Sequence, residues 1–344
     1  MSGRPFRPGR SALAELSIDD VAARAGVHRS TVSRAFSRPE AVNEATRQHI
    51  LEVAASLGYR MSPLAQALRR KASNLVPLIV PDITNPFYGE LAKTMSAAAA
   101  EKGYQLVLCV TGGEVAQTNA YLTALQGMYA PFGIVAPSTS VDLDELENVA
   151  LGSKVVVVDR VDEARVPTVT VDSAEGIALA VDHLRGLGHR RIAYVSGISG
   201  TYTSRDRLAA YEGLAAELEM PAMILDAGAG PEVGERAAER FVEMTAGERP
   251  TAVIAANDMV AFAFISALGA RGVSVPDEVS VMGFDGLELG SRFNPRLTTV
   301  RQPIADMGFI AIDLAEKLLE DGEARHVTLA PDLLIRASTA EAPR

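Results

Sequence analysis

Apolar positions keep one period over the first part of this chain and another over the rest. Between residues 17 and 58 they recur at helical spacing. Ser17-Ile-Asp-Asp20 sets a hydroxyl three residues ahead of a carboxylate, the capping box that opens a helix. Val21, Ala22 and Ala25 carry the apolar stripe onward, and Gly26 breaks it. A second short helix puts Arg29, Ser30, Thr31, Ser33 and Arg34 forward, with Val32, Ala35 and Phe36 behind them. Asn43 caps a third helix whose stripe is Ile50, Leu51, Ala54 and Leu57, and Gly58 ends it. From residue 75 short Val/Ile/Leu runs take over, at 75–80, 105–110, 155–158, 168–171, 191–195, 252–255 and 279–284. Helical stretches alternate with them near 87–102, 117–129, 173–187, 205–219, 233–246, 258–272 and 304–321.

Strand–helix alternation predicts right-handed βαβ units and parallel sheets covered on both faces. About 270 residues is long for one such sheet, so two lobes are expected. The fold class is therefore α/β, with an all-α helix-turn-helix head ahead of a two-lobed core. Residues 1–16, rich in Arg, Pro, Gly and Ser, read as a disordered basic tail and 17–61 as the head. Residues 62–74 read as a short helix and linker, with Pro63 in its first turn. So short a helix orders only against a partner or DNA. One lobe takes 75–171 with 301–328, the other 172–300 with 329–340. Ligands of such sheets bind beyond the carboxyl ends of the strands, here in a cleft between lobes.

Charge sharpens the division. The 344 residues carry a net −10, yet residues 1–75 are net +6 and the remainder net −16. A basic head on an acidic body suits phosphate contact, because counterion release supplies much of such affinity. Hydroxyls and arginines on one helix face suit the major groove; the same pattern also suits a solvated helical hairpin. No long apolar run marks a membrane span, and no apolar segment follows the basic N-terminus as in a signal peptide. The single Cys109 fits a reducing compartment, so a cytoplasmic location is expected. The five scattered histidines show no metal-ligand spacing. No nucleophile–base motif or phosphate-cradling glycine loop is present either, so neither metal, cofactor nor enzymatic activity is expected.

Several segments, in order, carry a resemblance. They are Ile18-Asp-Asp-Val-Ala, Ser30-Thr-Val-Ser-Arg34, Thr46-Arg47, Leu57-Gly-Tyr59 and Ala65…Leu68. In the body come Pro81-Asp-Ile-Thr-Asn-Pro-Phe-Tyr88, Val158-Asp-Arg160, His183-Leu-Arg-Gly-Leu-Gly-His189, Ala256-Asn-Asp258, Gly283-Phe-Asp285 and Leu297-Thr-Thr-Val-Arg-Gln-Pro303. Over nearly its whole length the chain resembles the lactose-repressor/galactose-repressor (LacI/GalR) family of bacterial transcription regulators. The resemblance implies a homodimer whose subunits each have a DNA-binding head, a hinge helix and a core like that of periplasmic sugar-binding proteins. A small effector in the cleft would shift the lobes and change affinity for a pseudo-palindromic double-stranded operator. A repressor is the expected sign of regulation.

By position in that motif, Arg29, Ser30 and Arg34 lie where the family reads base edges, and Arg suits guanine through its two-donor fork. Ser17, Thr31, Ser33 and Asn43 are placed as phosphate contacts, although Thr31 also suits packing of the hairpin. His28 stands where the family usually has a capping Ser; imidazole caps less well, so a solvated side chain is expected there. Leu68 matches the leucine wedged from the minor groove, or packs on the partner's hinge, and the small Ala65 lets two hinge helices approach.

In the cleft, Asp82, Phe87 and Tyr88 follow the first core strand, Ser138 the third, and Asp159 with Arg160 the Val155–Val158 run. Arg207 holds the family position of an inward-facing arginine. Asn257 and Asp258 cap the helix that follows them, and Asp285 ends a strand. Carboxylates, an amide and an arginine beside aromatics suit a polyhydroxylated ligand, a sugar or sugar derivative. One departure stands out: Asp226-Ala-Gly-Ala-Gly-Pro231 has no aromatic to close over a ligand, and the chain has no Trp. That weakens a simple hexose and favours a larger ligand or an aromatic from elsewhere, such as Tyr202. The family's tetramerising tail helix is missing, so a dimer is expected. The competing expectation is a sugar-binding or sensing protein without sequence-specific DNA function.

Overall fold

The computed structural model describes residues 16–59, 73–127, 129–136, 154–159, 166–197, 202–226, 232–323 and 325–343. Residues 1–73 and 74–344 form two compact units. The expected hinge helix, with Ala65 and Leu68, and the expected cleft residues Ser138 and Arg160 lie outside the described residues. So do residues 227–231 and the side chain of Tyr202.

The first unit holds α1 (Ile18–Ala25), α2 (Arg29–Ser37), a 3-10 turn (Pro39–Ala41) and α3 (Glu44–Leu57). Each boundary follows from local chemistry. The capping box is present: Ser17 Oγ accepts from the Asp20 N–H, and the Asp20 carboxylate accepts from the Ser17 N–H at 2.7 Å. Bonds from the Ser17 hydroxyl and N–H hold the Asp20 carboxyl below its ordinary value. Gly26, at φ +69°, ends α1 in a left-handed conformation that costs a residue with a Cβ more. Asn43 Oδ1 caps α3 by accepting from the Ala45 N–H at 2.9 Å. Val21, Val32 and Ile50 are fully buried and meet Ala22, Ala25, Ala35 and Ala54 in one small core. The complete burial of Val32 makes it a packing residue of the hairpin.

Among its described residues the second unit holds two six-stranded sheets. In chain order its elements are β1 (Leu75–Val80), α4 (Pro86–Glu101), β2 (Gln105–Val110), α5 (Val115–Gly127), β3 (Gly133–Val135), β4 (Val155–Val158) and β5 (Thr168–Val171). Then come α6 (Ser173–Gly186), β6 (Ile192–Val195), α7 (Tyr202–Glu217), β7 (Met223–Asp226), α8 (Val233–Glu243) and β8 (Ala252–Ala255). The chain closes with α9 (Asp258–Ala270), β9 (Ser280–Asp285), α10 (Glu288–Arg292), β10 (Thr298–Arg301), α11 (Ile304–Glu320), β11 (His326–Leu329) and β12 (Asp332–Leu334). The sheet orders are β11-β5-β4-β3-β1-β2 and β12-β10-β9-β8-β6-β7. Every strand pair is parallel except β10 with β12. The chain passes between sheets after β5, after β10 and after β11.

Runs such as Val155–Val158 and Ala252–Ala255 are buried at every position, as strands covered on both faces must be. Helix α11 crosses back and packs on α4, where Gly308 permits the approach: a Cβ there would lie 2.9 Å from Thr94 Cγ2. The C-terminal segment is pinned to the second sheet. His189 Nε2 donates to the Ala340 carbonyl at 3.0 Å while Nδ1 accepts from Thr251 Oγ1 at 2.9 Å. Its burial lowers the His189 pKa, keeping the ring in the neutral form those two bonds need. Among the described residues no helix is long and apolar enough to cross a membrane.

Candidate functional site

On the head, α2 exposes one polar face. Arg29, Ser30 and Arg34 are exposed, while Thr31 and Ser33 are half-buried. Arg34 is exposed, and its Nε donates to the Ser30 carbonyl at 3.2 Å. Arg29 lies 3.5 Å from Asp19 with both side chains mostly exposed, a pair worth little in water. Ser17 and Asn43 act first as helix caps.

His28 is exposed, as expected, but its ring does more than face solvent. It caps α2: Nδ1 accepts from the Ser30 N–H at 3.2 Å and lies 2.8 Å from Ser30 Oγ. An extended backbone (φ −69°, ψ 144°) brings the ring over the first turn, so imidazole does here what a Ser hydroxyl would do.

In the core, the carboxyl ends of strands from both sheets border a cavity of about 380 Å³. From the first sheet come Asp82 and Asn85 after β1, Gly112 and Gly113 after β2, and Asp159 after β4. From the second come Gly197 after β6, Ser204 and Arg207 on α7, Asn257 after β8 and Asp285 at the end of β9. Phe87 and Tyr88 open α4 and also line it, edge to face with centroids 5.1 Å apart.

Arg207 is 5% exposed and held on three sides. Nη1 donates to the Ala256 carbonyl at 2.7 Å and lies 3.6 Å from Asp285 Oδ1. Its guanidinium sits 3.7 Å from the centre of the Phe284 ring. Asp285 accepts a second bond from Gln302 Nε2 at 2.7 Å. Burial raises the Asp285 pKa, and Arg207 and Gln302 draw it partly back.

Asp159 is different. Among the described residues its carboxylate has no hydrogen-bond partner, and burial pushes its pKa up to about 7 against the pull of Arg207. Burial and the nearby Asp159 and Asp285 carboxylates raise the Tyr88 pKa, so its phenol remains a proton donor. Asp159 (φ +62°) and Asp285 (φ +130°) both hold backbone conformations unusual for a residue with a side chain. Such strain is held by the surrounding fold and concentrates at binding sites.

Asp258 does not line the cavity. Its carboxylate is turned inward, accepting from the Leu287 N–H at 2.7 Å and the Thr299 hydroxyl at 2.6 Å. Gly283 makes room for it: a Cβ there would fall 2.1 Å from Asp258 Oδ1. Asn257 keeps two roles, lining the cavity and capping α9 through the Val260 N–H at 2.9 Å. Sequence reasoning passed over Asn85, Gly112, Gly113, Gly197 and Ser204. Gly112-Gly113 just past a strand was a readable signal of a tight turn, and both take positive φ. Among the described residues no group of His, Cys, Asp and Glu is arranged to hold a metal ion.

Residues 17–62 match the lacI family of bacterial regulatory proteins, and residues 181–339 match the periplasmic binding protein-like domain. The chain is 32% identical to the HTH-type transcriptional regulator DegA of Bacillus subtilis, across 94% of this chain and 98% of DegA. It is 31% identical to the ribose operon repressor of Halalkalibacterium halodurans, across 88% and 90% of the two chains. A solved structure of the lac repressor dimer, bound to operator and the anti-inducer ONPF, shares the fold at 24% identity. Its TM-score is 0.83, with 94% of this chain and 99% of that chain covered. Identity above 30% over nearly the whole of these regulators, together with the match of the head, shows that the chain belongs to the lacI family of bacterial regulatory proteins.

Proposed function

We propose that this protein is a homodimeric, cytoplasmic repressor whose affinity for a pseudo-palindromic operator is set by an uncharged sugar or sugar derivative bound in the core cavity, with no catalytic step. As a member of its family it is a DNA-binding transcriptional regulator. Arg34 and Arg29 read bases in this account, Ser30 reads beside them, and Ser17, Thr31, Ser33 and Asn43 orient the head on phosphates. The lobes are taken as 75–171 with 301–328 and 172–300 with 329–340, a division that the membership of β1–β5 and β6–β10 in separate sheets supports.

One observation carries the ligand class. Among the described residues, three carboxyl groups, Asp82, Asp159 and Asp285, line the cavity with one guanidinium, that of Arg207, which Asp285 already engages. A phosphate or carboxylate on the ligand would meet surplus negative charge in a poorly solvated space. Hydroxyls donate to such carboxylates and accept from Arg207 and Tyr88. The ribose operon repressor among the relatives agrees with a carbohydrate. A ligand touching both sheets biases the protein only by its difference in affinity for the two lobe arrangements.

Calorimetric titration of neutral mono- and disaccharides against their phosphorylated counterparts tests this. A neutral sugar is expected to bind at least about tenfold tighter than its phosphate. Tighter binding of the phosphate overturns the reading.

A further inference from the structure

The contact between His28 and Ser30 fixes which way a hydroxyl proton points. A backbone N–H is always a donor, so Nδ1 of His28, accepting from the Ser30 N–H at 3.2 Å, carries no proton. Ser30 Oγ lies 2.8 Å from that same nitrogen. Two lone pairs at that distance would repel, so the Ser30 hydroxyl is the donor and its proton is spent on His28. What Ser30 turns outward is lone pairs only. The Ser30 backbone is tied on both sides of this contact. Its N–H is held by His28, and its carbonyl accepts from Arg34 Nε at 3.2 Å.

Major-groove edges distinguish bases by just this polarity. Adenine and cytosine present exocyclic amino donors, whereas guanine and thymine present keto acceptors. We propose that His28 is a specificity-determining residue: by holding the Ser30 hydroxyl as a donor to itself, it makes Ser30 a pure acceptor that reads an exocyclic amino group in the operator. This rests on the reading that Ser30 faces a base. A Ser at position 28 would cap α2 through an oxygen but would not fix the Ser30 proton in the same way, because a hydroxyl donates as well as accepts.

The test starts with in vitro selection of double-stranded DNA from a random pool by the full-length dimer, repeated with Ser30→Ala. The base pair whose enrichment collapses in Ser30→Ala is the pair Ser30 reads. Duplexes are then made with single functional groups deleted at that pair. Purine in place of adenine, or 2-pyrimidinone in place of cytosine, removes the amino group. 2-Aminopurine in place of guanine, or 5-methyl-2-pyrimidinone in place of thymine, removes the keto oxygen.

Deleting the amino group is expected to weaken wild-type binding about tenfold, and deleting the keto oxygen to leave it within about twofold. His28→Asn, whose side-chain oxygen keeps an acceptor near the cap, retains this pattern. His28→Ala, with no acceptor, accepts either group and relaxes the preference at this pair to about twofold while the other selected positions stand. A merely structural His28 would lower affinity at all positions alike, and that result overturns the proposal. So does a wild-type loss on deleting the keto oxygen, which would make Ser30 a donor. If Ser30→Ala alters no position, the reading that Ser30 faces a base fails instead.

Discussion

The head and the core cavity use the same residue types in opposite surroundings. On the head, Arg29 and Asp19 keep more than half of their side chains in water, so their mutual attraction is screened and both remain available to a partner. In the cavity, Arg207 and Asp285 are almost wholly excluded from water, and their charges are committed to each other, to Gln302 and to the Ala256 carbonyl. On the proposed function, the head selects by where donors and acceptors point, and the cavity by how much charge the fold leaves uncompensated.

The sharpest way to break that contrast is to remove Arg207. Arg207→Ala strands the buried Asp285 carboxylate, and such a loss is expected to cost about 3–5 kcal/mol of core stability. Urea unfolding measures it; a cost under about 1 kcal/mol would put Asp285 in effective contact with water. The head counterpart, Arg34→Ala, leaves folding stability within about 0.5 kcal/mol. It is expected to weaken operator binding by about 1–3 kcal/mol and to relax the base choice at one position. Fluorescence anisotropy on the selected duplex reads this. Uniform weakening across sequences would make Arg34 a phosphate contact instead.

Asp159 gives a pH handle. Its pKa stands near 7 in the folded protein, above the ordinary carboxylate value of 3.8. Below about pH 3 folded and unfolded chains both hold the proton, and the group contributes nothing to the balance. As pH rises from there through about 7, the unfolded chain gives up its proton first and the folded state loses stability. Asp159→Asn is therefore expected to raise the melting temperature by about 4 °C at pH 8 and by nothing near pH 3. An equal gain at both values would assign the effect to packing. The smallest effect belongs to the exposed pair: Asp19→Ala should change stability by less than about 1 kcal/mol, and high salt should erase the difference.

Legibility follows the same contrast. Local signals read well. Ser17, Asn43 and Asn257 cap helices, as their positions before apolar runs suggested. Buried strands such as Val155–Val158 stood out as unbroken apolar runs. Met223–Asp226, Thr298–Arg301 and the exposed-edged His326–Leu329 and Asp332–Leu334 did not, being short and part polar, and His326–Leu329 pairs with a strand far back in the sequence. Arg207, Asp285 and Asp159 lie at the cavity because they end or follow core strands or open a helix over them. Asp258 was placed in the cleft with them, beside its capping role. Its turn inward depends on the Thr299 hydroxyl and the Leu287 N–H, and no local pattern announces either partner. The His28 cap was missed because a residue scale ranks imidazole low, whereas geometry asks only for an unprotonated acceptor over the first turn.

The central claim is that occupancy of the cavity governs the head. The direct measurement is the dissociation constant for the selected operator duplex, with and without a saturating neutral sugar identified by calorimetry, for the wild-type protein and for Asp285→Asn. The account predicts a change of about fivefold or more in wild type, in either direction, and none in Asp285→Asn. An operator affinity indifferent to the bound sugar, or a shift that persists undiminished in Asp285→Asn, would contradict it.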